Sequence, residues 1–267
     1  MSALHAELIE RSFSQQAPAF EDRSANRLMT TDSAWVFERL ELRKDDLVLD
    51  VASGNGHAAQ MLAPSVAGVI ALDATQAMLD VGRRQAKSDG LDNVDFLQGD
   101  AARLPFEDGT FDVIVCRYAI HHFEEPQVQL AEMLRCLKDG GRLAIADIVA
   151  DPDPAIASAQ NHLEWLRDPS HARMLTAEQL TNFLDRLGMR DIDLEVRSFR
   201  RALEPWMEQT GTSESVAGSI VAKLRAELGG GPQTGFRPRT EGDLMSFMQT
   251  FASVLATKPV WRPVIAS

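Results

Sequence analysis

Leu47-Val48-Leu49-Asp50-Val51-Ala52-Ser53-Gly54-Asn55-Gly56-His57 is the stretch on which the reading of this chain turns. An apolar run carrying one carboxylate passes into small residues and two glycines, and a helical pattern follows from His57 to Ala63. Short apolar runs of this kind read as strands buried on both faces. Glycines at the end of such a strand let the backbone turn sharply into a helix and let a ligand approach it closely.

Working outward, the same alternation repeats. Strands are expected at Ala67–Leu72, Val94–Leu97, Phe111–Cys116 and Arg142–Ala146, and helices near Thr75–Ser88 and Gln127–Leu137. Upstream, Val36 to Leu42 continues a helical pattern. Short strands separated by helices of this length signal βαβ units and a parallel sheet, so the fold class is α/β and doubly wound. Beyond Asp147 the chain turns helix-rich to about Leu187, with Pro169 interrupting, and then strand-like from Ile192 to Leu203. A helical stretch over 204–228 ends at Gly229-Gly230-Gly231-Pro232, and Leu244–Ala256 is apolar enough for a closing strand. The simplest division is a helical lid over 1–34, a ligand-binding core over 35–150, and substrate-side helices, last strands and a helical insertion over 151–267. All three form one continuous domain.

Composition narrows the class. The 267 residues are 45% hydrophobic and 25% charged, which suits one α/β domain with a small addition and excludes collagen-like or disordered chains. With 39 acidic against 27 basic residues the net charge is −12, a field that repels a phosphate backbone, so no nucleic-acid partner is expected. Two cysteines, Cys116 and Cys136, fit a reducing compartment. No run of 18 uncharged apolar residues is present, and the first residues lack a basic and then apolar leader. A cytoplasmic protein without a membrane span is expected.

Three of the strands end at one sheet edge with an aspartate: Asp50, Asp73 and Asp100. Gly54-x-Gly56-x-x-Ala59, with Asp73 some 17 residues on, meets the relaxed dinucleotide pattern, and a ligand-free tight turn would look the same. Asp50 decides between ligands by sign. A pyrophosphate over the helix N-terminus would be repelled by a carboxylate just before the glycines. An ammonium and a sulfonium would be attracted, and S-adenosylmethionine carries both. Asp73 can accept two ribose hydroxyls, and Asp100 the exocyclic amine of adenine.

These residues resemble the class I S-adenosylmethionine-dependent methyltransferases, and more narrowly the small-molecule branch that includes the ubiquinone/menaquinone C-methyltransferase type (a methyltransferase type 11 domain). The resemblance spans roughly residues 10–190 and is densest over 47–147. It is carried by the opening stretch, by Ala71-Leu72-Asp73 and by Gly99-Asp100-Ala101-Ala102-Arg103-Leu104-Pro105-Phe106. Phe111-Asp112-Val113-Ile114-Val115-Cys116-Arg117, His121-His122-Phe123 and Leu137-Lys138-Asp139-Gly140-Gly141-Arg142 complete it. It implies a Rossmann-like seven-stranded sheet, six strands parallel and the last antiparallel, with an N-terminal helical arm and a late helical insertion. Asp50 would then lie near the methionine end, and Ala52, Ser53, Gly54 and Gly56 would form a backbone cradle. Asp73 would hold the ribose, with Ala74 beside it in the cofactor-binding set. Asp100 and Ala101 would frame the adenine, with Met78 packed against it. Arg117 to His122 would flank the transferred methyl. Ala52 stands where the family's glycine run usually begins, and a small residue fits there with a negative φ.

Methyl transfer is an in-line displacement whose leaving group is built into the cofactor, so the protein mainly aligns and excludes water. A base is needed only when an O–H or N–H nucleophile must lose its proton. The candidates are His121 and His122, of which adjacency lets at most one face the cleft, and His171 in Asp168-Pro169-Ser170-His171. The alternatives are an edge residue supporting a helix start for one of the adjacent pair, and a turn cap for His171. His122, His171 and Asp147 lack dedicated zinc spacing, so no metal is expected. Phe20 in the arm is a lid candidate or plain packing. Trp206 and Met207 are pocket walls or, more simply, core. Gly235–Arg239 is a basic loop that either meets an anionic substrate or is solvated. The late insertion shapes substrate access or pairs subunits in a homodimer. The expected activity is methyl transfer from S-adenosylmethionine to carbon, oxygen or nitrogen of a small organic acceptor. An NAD(P)-dependent oxidoreductase and a non-catalytic S-adenosylmethionine-binding regulatory protein remain alternatives.

Overall fold

A computed structural model describes residues 2–21 and 34–260. The sheet is built from β1 (Leu47–Val51), β2 (Gly68–Asp73), β3 (Val94–Gln98), β4 (Phe111–Arg117), β5 (Leu137–Ile148), β6 (Arg190–Ala202), β7 (Arg239–Glu241) and β8 (Leu244–Thr257). Its order is β3-β2-β1-β4-β5-β8-β6, with β7 paired to β8. The first five strands pair in parallel, and β8 runs antiparallel between β5 and β6. The helices are α1 (Ala3–Gln16), α2 (His57–Leu62), α3 (Gln76–Ser88), α4 (Pro126–Cys136), α5 (Pro154–Arg167), α6 (Ala177–Arg186), α7 (Leu203–Glu208) and α8 (Glu214–Leu228).

Continuous apolar strands arise because both sheet faces are covered. Leu49, Val51, Leu72, Ile114, Cys116, Leu143 and Ile145 join one buried layer with α4 and α6. Their neighbours Val48, Val69, Ala71, Val113, Val115, Ala144 and Ala146 join the opposite layer with α2. Alternation along each strand persists, but both phases are apolar.

Three details depart from the sequence reading. Val36–Leu42 is not helical; a single 3₁₀ turn at Ala34–Val36 precedes irregular chain. Trp35, Val36 and Phe37 are all buried, and three consecutive residues cannot share one face of a helix that turns 100° per residue. The stretch 204–228 is two helices, broken between α7 and α8 near Gly211, whose φ is +65°. The sheet also gains β7, three exposed residues joined to β8 by the two-residue turn Gly242-Asp243, with Gly242 at φ +61°. So short and polar a strand carries no apolar period to read.

The late insertion builds a third core around Trp206, with Leu163, Ile220, Leu224, Phe236 and Phe247. Trp206 is 1% exposed and meets Phe236 and Phe247 edge-on, so it is core. At the other end, α1 is held over the sheet edge by polar contacts. The Ser2 N–H and hydroxyl donate to Glu124, His5 Nε2 donates to the His122 carbonyl at 2.7 Å, and Ser12 donates to Asp168.

The glycine loop is pressed onto α3 at Gly82, where an added Cβ would lie 2.4 Å from both the Asn55 carbonyl oxygen and the Phe96 ring. A backbone oxygen cannot yield as a side-chain tip can. Gly82→Ala is therefore expected to destabilise the fold by about 1–3 kcal/mol despite alanine's better helix propensity, as urea unfolding would show.

Candidate functional site

The carboxyl ends of β1, β2 and β4, with the loop after β3, open on one cavity, covered from the other side by α1. A parallel sheet presents its ligand crevice at this edge, where the strand order reverses between β1 and β4. Ala52, Ser53, Gly54, Asp73, Ala74, Met78, Asp100, Ala101, Arg117 and His122 all line this cavity.

Asp73 organises its floor. Oδ2 accepts the Gly54 N–H at 2.7 Å and Oδ1 accepts the Thr75 N–H at 2.8 Å. Burial pushes its pKa up, and the two N–H donors oppose the rise. Each oxygen has two lone pairs and spends one on the backbone, so one on each remains for a ligand donor.

The β1–α2 turn is tight. Gly54 and Gly56 have φ of +56° and +66°, and Gly56 begins α2 against Phe96, which a Cβ there would approach to 2.6 Å. Gly56 thus shapes the turn from behind the cavity wall. Ala52 departs from the negative φ expected of a non-glycine, adopting +52°. That conformation lets Ser53 N–H reach the Leu72 carbonyl of the neighbouring strand at 3.0 Å, at a cost of roughly 1 kcal/mol for the Cβ.

Asp50, expected at the methionine end, stands behind the wall instead. It is 1% exposed, and Oδ2 accepts the Ala59 N–H in the first turn of α2 at 3.0 Å. Burial drives its pKa up to about 7, against the pull of Arg117 and the Ala59 N–H. Its charge is thus only partial at neutrality, and Asp73 is the carboxylate that faces the cavity.

Asp100 is exposed at the rim and uses Oδ1 on the Ala102 N–H at 2.8 Å, while Ala101 is buried beside it. Met78, 1% exposed, joins Val81, Ala17, Phe13 and Phe20 in a patch where the arm docks. Phe20, the lid candidate, lines the cavity with Phe13 and Ile9. Arg117 lies 4.9 Å from the Tyr118 ring centroid, and Tyr118 holds a left-handed φ of +55° at the cavity edge.

Of the three histidines only His122 borders the cavity; His121 and His171 are buried beside it. The His121 ring lies 4.1 Å from His122 and 5.6 Å from His171. His121 Nδ1 sits 2.5 Å from Asp147 Oδ1, and its N–H donates to Oδ2 at 3.0 Å. Burial works against its charge, but Asp147 outweighs it and the pKa is raised. His122 Nδ1 donates to the Ser170 carbonyl at 2.9 Å, which leaves Nε2 as the bare acceptor of the neutral ring. Burial first, and then His121, lower its pKa to about 4. His171 Nε2 donates to Asn161 Oδ1 at 2.9 Å, and burial with the two other histidines takes it to about 2. Its place is structural, as a turn cap would be. Among the described residues no cluster of three or more His, Cys, Asp or Glu is arranged to hold a metal ion, and no helix is long and apolar enough to cross a membrane.

Tyr118 and Ala119, within the segment Arg117 to His122 expected beside the methyl, line the cavity with Phe123, whereas sequence reading passed over Ile9 and Gln129. For Gln129 a signal existed: it interrupts the apolar stripe Pro126, Leu130, Met133, Leu134 of α4 with a polar group on the buried face.

Residues 49–145 match a family model described as a methyltransferase domain. The chain is 33% identical over 215 residues to the uncharacterized methyltransferase YcgJ of Bacillus subtilis (strain 168), covering 80% of this chain and 85% of that one. A demethylmenaquinone methyltransferase of Paenarthrobacter aurescens (strain TC1) is 33% identical over 197 residues, 72% of this chain and 74% of the relative. The crystal structure of the Bacillus subtilis YcgJ protein superposes with a TM-score of 0.78 at 29% identity, over 86% of this chain and 99% of that one.

A histidine whose pKa is lower folded than unfolded binds fewer protons in the native state, so stability falls as pH drops from about 6.5 towards 4. His122 alone is expected to contribute a loss of about 3 kcal/mol across that interval. In His122→Asn, whose amide can still donate to Ser170, urea titrations at pH 7 and 4.5 should show a correspondingly smaller decline.

Proposed function

Because the chain belongs to the methyltransferase family, we propose that it transfers the methyl group of S-adenosylmethionine to a small organic acceptor. The carrying observation is the Asp73 carboxylate, which faces the cavity with one lone pair left on each oxygen. A vicinal diol such as the ribose of an adenosyl group offers two hydroxyl donors for those places. Two further polar atoms at the cavity, Ser53 Oγ and Gln129 Oε1, are shut from solvent without a hydrogen-bond partner among the described residues. Such atoms are costly unless a ligand satisfies them. The residues present therefore fit the cofactor.

The bound cofactor supplies an electrophilic methyl on a sulfonium that is its own leaving group. The chain's residues then have to hold and align the acceptor and keep water away. Ala52, Ser53 and Gly54 would present backbone to the amino-acid end, Asp73 and Ala74 would hold the ribose, and Asp100 and Ala101 would border the base. Ile9, Phe13 and Phe20 of the arm close the opposite side with apolar surface, which supports reading residues 1–34 as a lid; residues 1 and 22–33 lie outside the described residues.

His122 is the group best placed toward an acceptor. With a pKa near 4 it is neutral at physiological pH, and its Nε2 lone pair can accept a hydrogen bond from an acceptor O–H or N–H. So weak a base orients a nucleophile better than it removes a tightly held proton. The Ser170 carbonyl would fix the imidazole, and burial with His121 behind it would keep it neutral. A soluble, small-molecule role in the cytoplasm agrees with the acidic charge and the enclosed cavity.

Calorimetric titration with S-adenosylhomocysteine provides the test. Asp73→Ala should weaken binding by roughly 1–3 kcal/mol, the cost of stranding polar partners, in a variant that remains folded. Unchanged affinity would remove the ribose assignment. With an acceptor in hand, His122→Asn should lower kcat while leaving cofactor affinity nearly as it was.

A further inference from the structure

We propose that Gln129 reads the exocyclic amine of the cofactor's base and makes the site selective for adenine over a 6-oxo purine. The inference rests on the adenosyl reading of the cavity above and assigns one of its recognition contacts to a specific side chain. Gln129 is 1% exposed, lines the cavity from α4, and its Oε1 has no hydrogen-bond partner among the described residues. An amide oxygen in that state is an acceptor waiting for a donor, and a folded protein that leaves it empty bears the full desolvation cost.

The face of α4 that carries Gln129 is bolted to the chain just after β3. One turn on, Glu132 Oε2 accepts the Leu104 N–H at 3.0 Å, and Arg135 donates to the Leu104 and Phe106 carbonyls at 3.0 and 2.8 Å. Residues 129 and 132 are neighbours on one helix face. Gln129 therefore stands one turn back, towards Asp100 and Ala101, with Ala101, Leu104 and Leu130 packed in one apolar cluster. Asp73, which takes the sugar, lies on β2, separated from β4 by β1. The donors an adenosyl ligand offers at the base end are the two hydrogens of its amine. Asp100, exposed and with Oδ1 already on Ala102, can meet one from the rim, and Gln129 Oε1 takes the other from within. A 6-oxo purine would place a second lone-pair oxygen against Oε1, which is repulsive.

The experiment compares wild type and Gln129→Met in calorimetric titrations with S-adenosylhomocysteine and its S-inosyl analogue, with thermal melting of both proteins as the fold control. Wild type should prefer the adenosyl compound by tenfold or more. Gln129→Met should lose about 10- to 100-fold in adenosyl affinity, should discriminate little between the two, and should melt no lower than wild type, since an orphan acceptor has been replaced by a matching apolar chain. Equal adenosyl affinity in the two proteins, or a preference unchanged in the variant, overturns the role of Gln129 while leaving the cofactor reading intact. Failure of wild type to bind S-adenosylhomocysteine at all overturns both.

Discussion

Two backbone N–H groups from different βα turns end on one carboxylate. Gly54 leads out of β1 and Thr75 leads into α3, and Asp73 accepts from both, at 2.7 and 2.8 Å. Two N–H groups held by one carboxyl tie the two turns to each other. The wall of the cavity follows from that link. The left-handed Ala52, the close approach of Gly54 to Met78, and the seat of α3 at Gly82 all lie within the stretch it holds in place. The same bonds oppose the rise in pKa that burial imposes on Asp73.

Asp50, the same residue type on the neighbouring strand, is also pushed up by burial but does not reach the cavity. It receives one N–H and lies deeper, and its pKa settles near 7. The two carboxylates divide the work by environment: one completes the first turn of α2, the other remains available to a ligand.

The histidine cluster is organised by a single ion pair. Asp147 holds His121 and favours its protonated form, and the His121 ring, 4.1 Å from the next, adds to burial in disfavouring charge on His122 and His171. Carbonyl and amide oxygens select the tautomers of the outer rings, so only His122 offers a bare nitrogen at the cavity. Its ring is met edge-on by Phe13 of the arm at 5.1 Å, and His5 of the same helix bonds its carbonyl. The cover of the cavity and the orientation of its one histidine are thus mechanically connected.

The sequence alone determined the alternation of strands and helices, the strand that opens the site, and the edge at which Asp73, Asp100 and the glycine turn gather. Those properties are local or periodic: two-phase apolar strands, glycines where φ must be positive, and polar residues at strand ends. It did not determine which polar side chains reach the cavity. Asp50 and Asp73 both end strands, and the three histidines lie in two short segments, yet burial and backbone partners place one of each at the surface of the site. Gln129 is six residues beyond Phe123 on a helix whose pattern reads as core, and only the bolting of α4 to the loop after β3 turns it into the cavity. The broken insertion helix and the irregular Trp35–Phe37 segment likewise follow from side chains meeting distant strands. Tertiary structure decides such matters because desolvation and hydrogen-bond satisfaction depend on neighbours brought together from far along the chain.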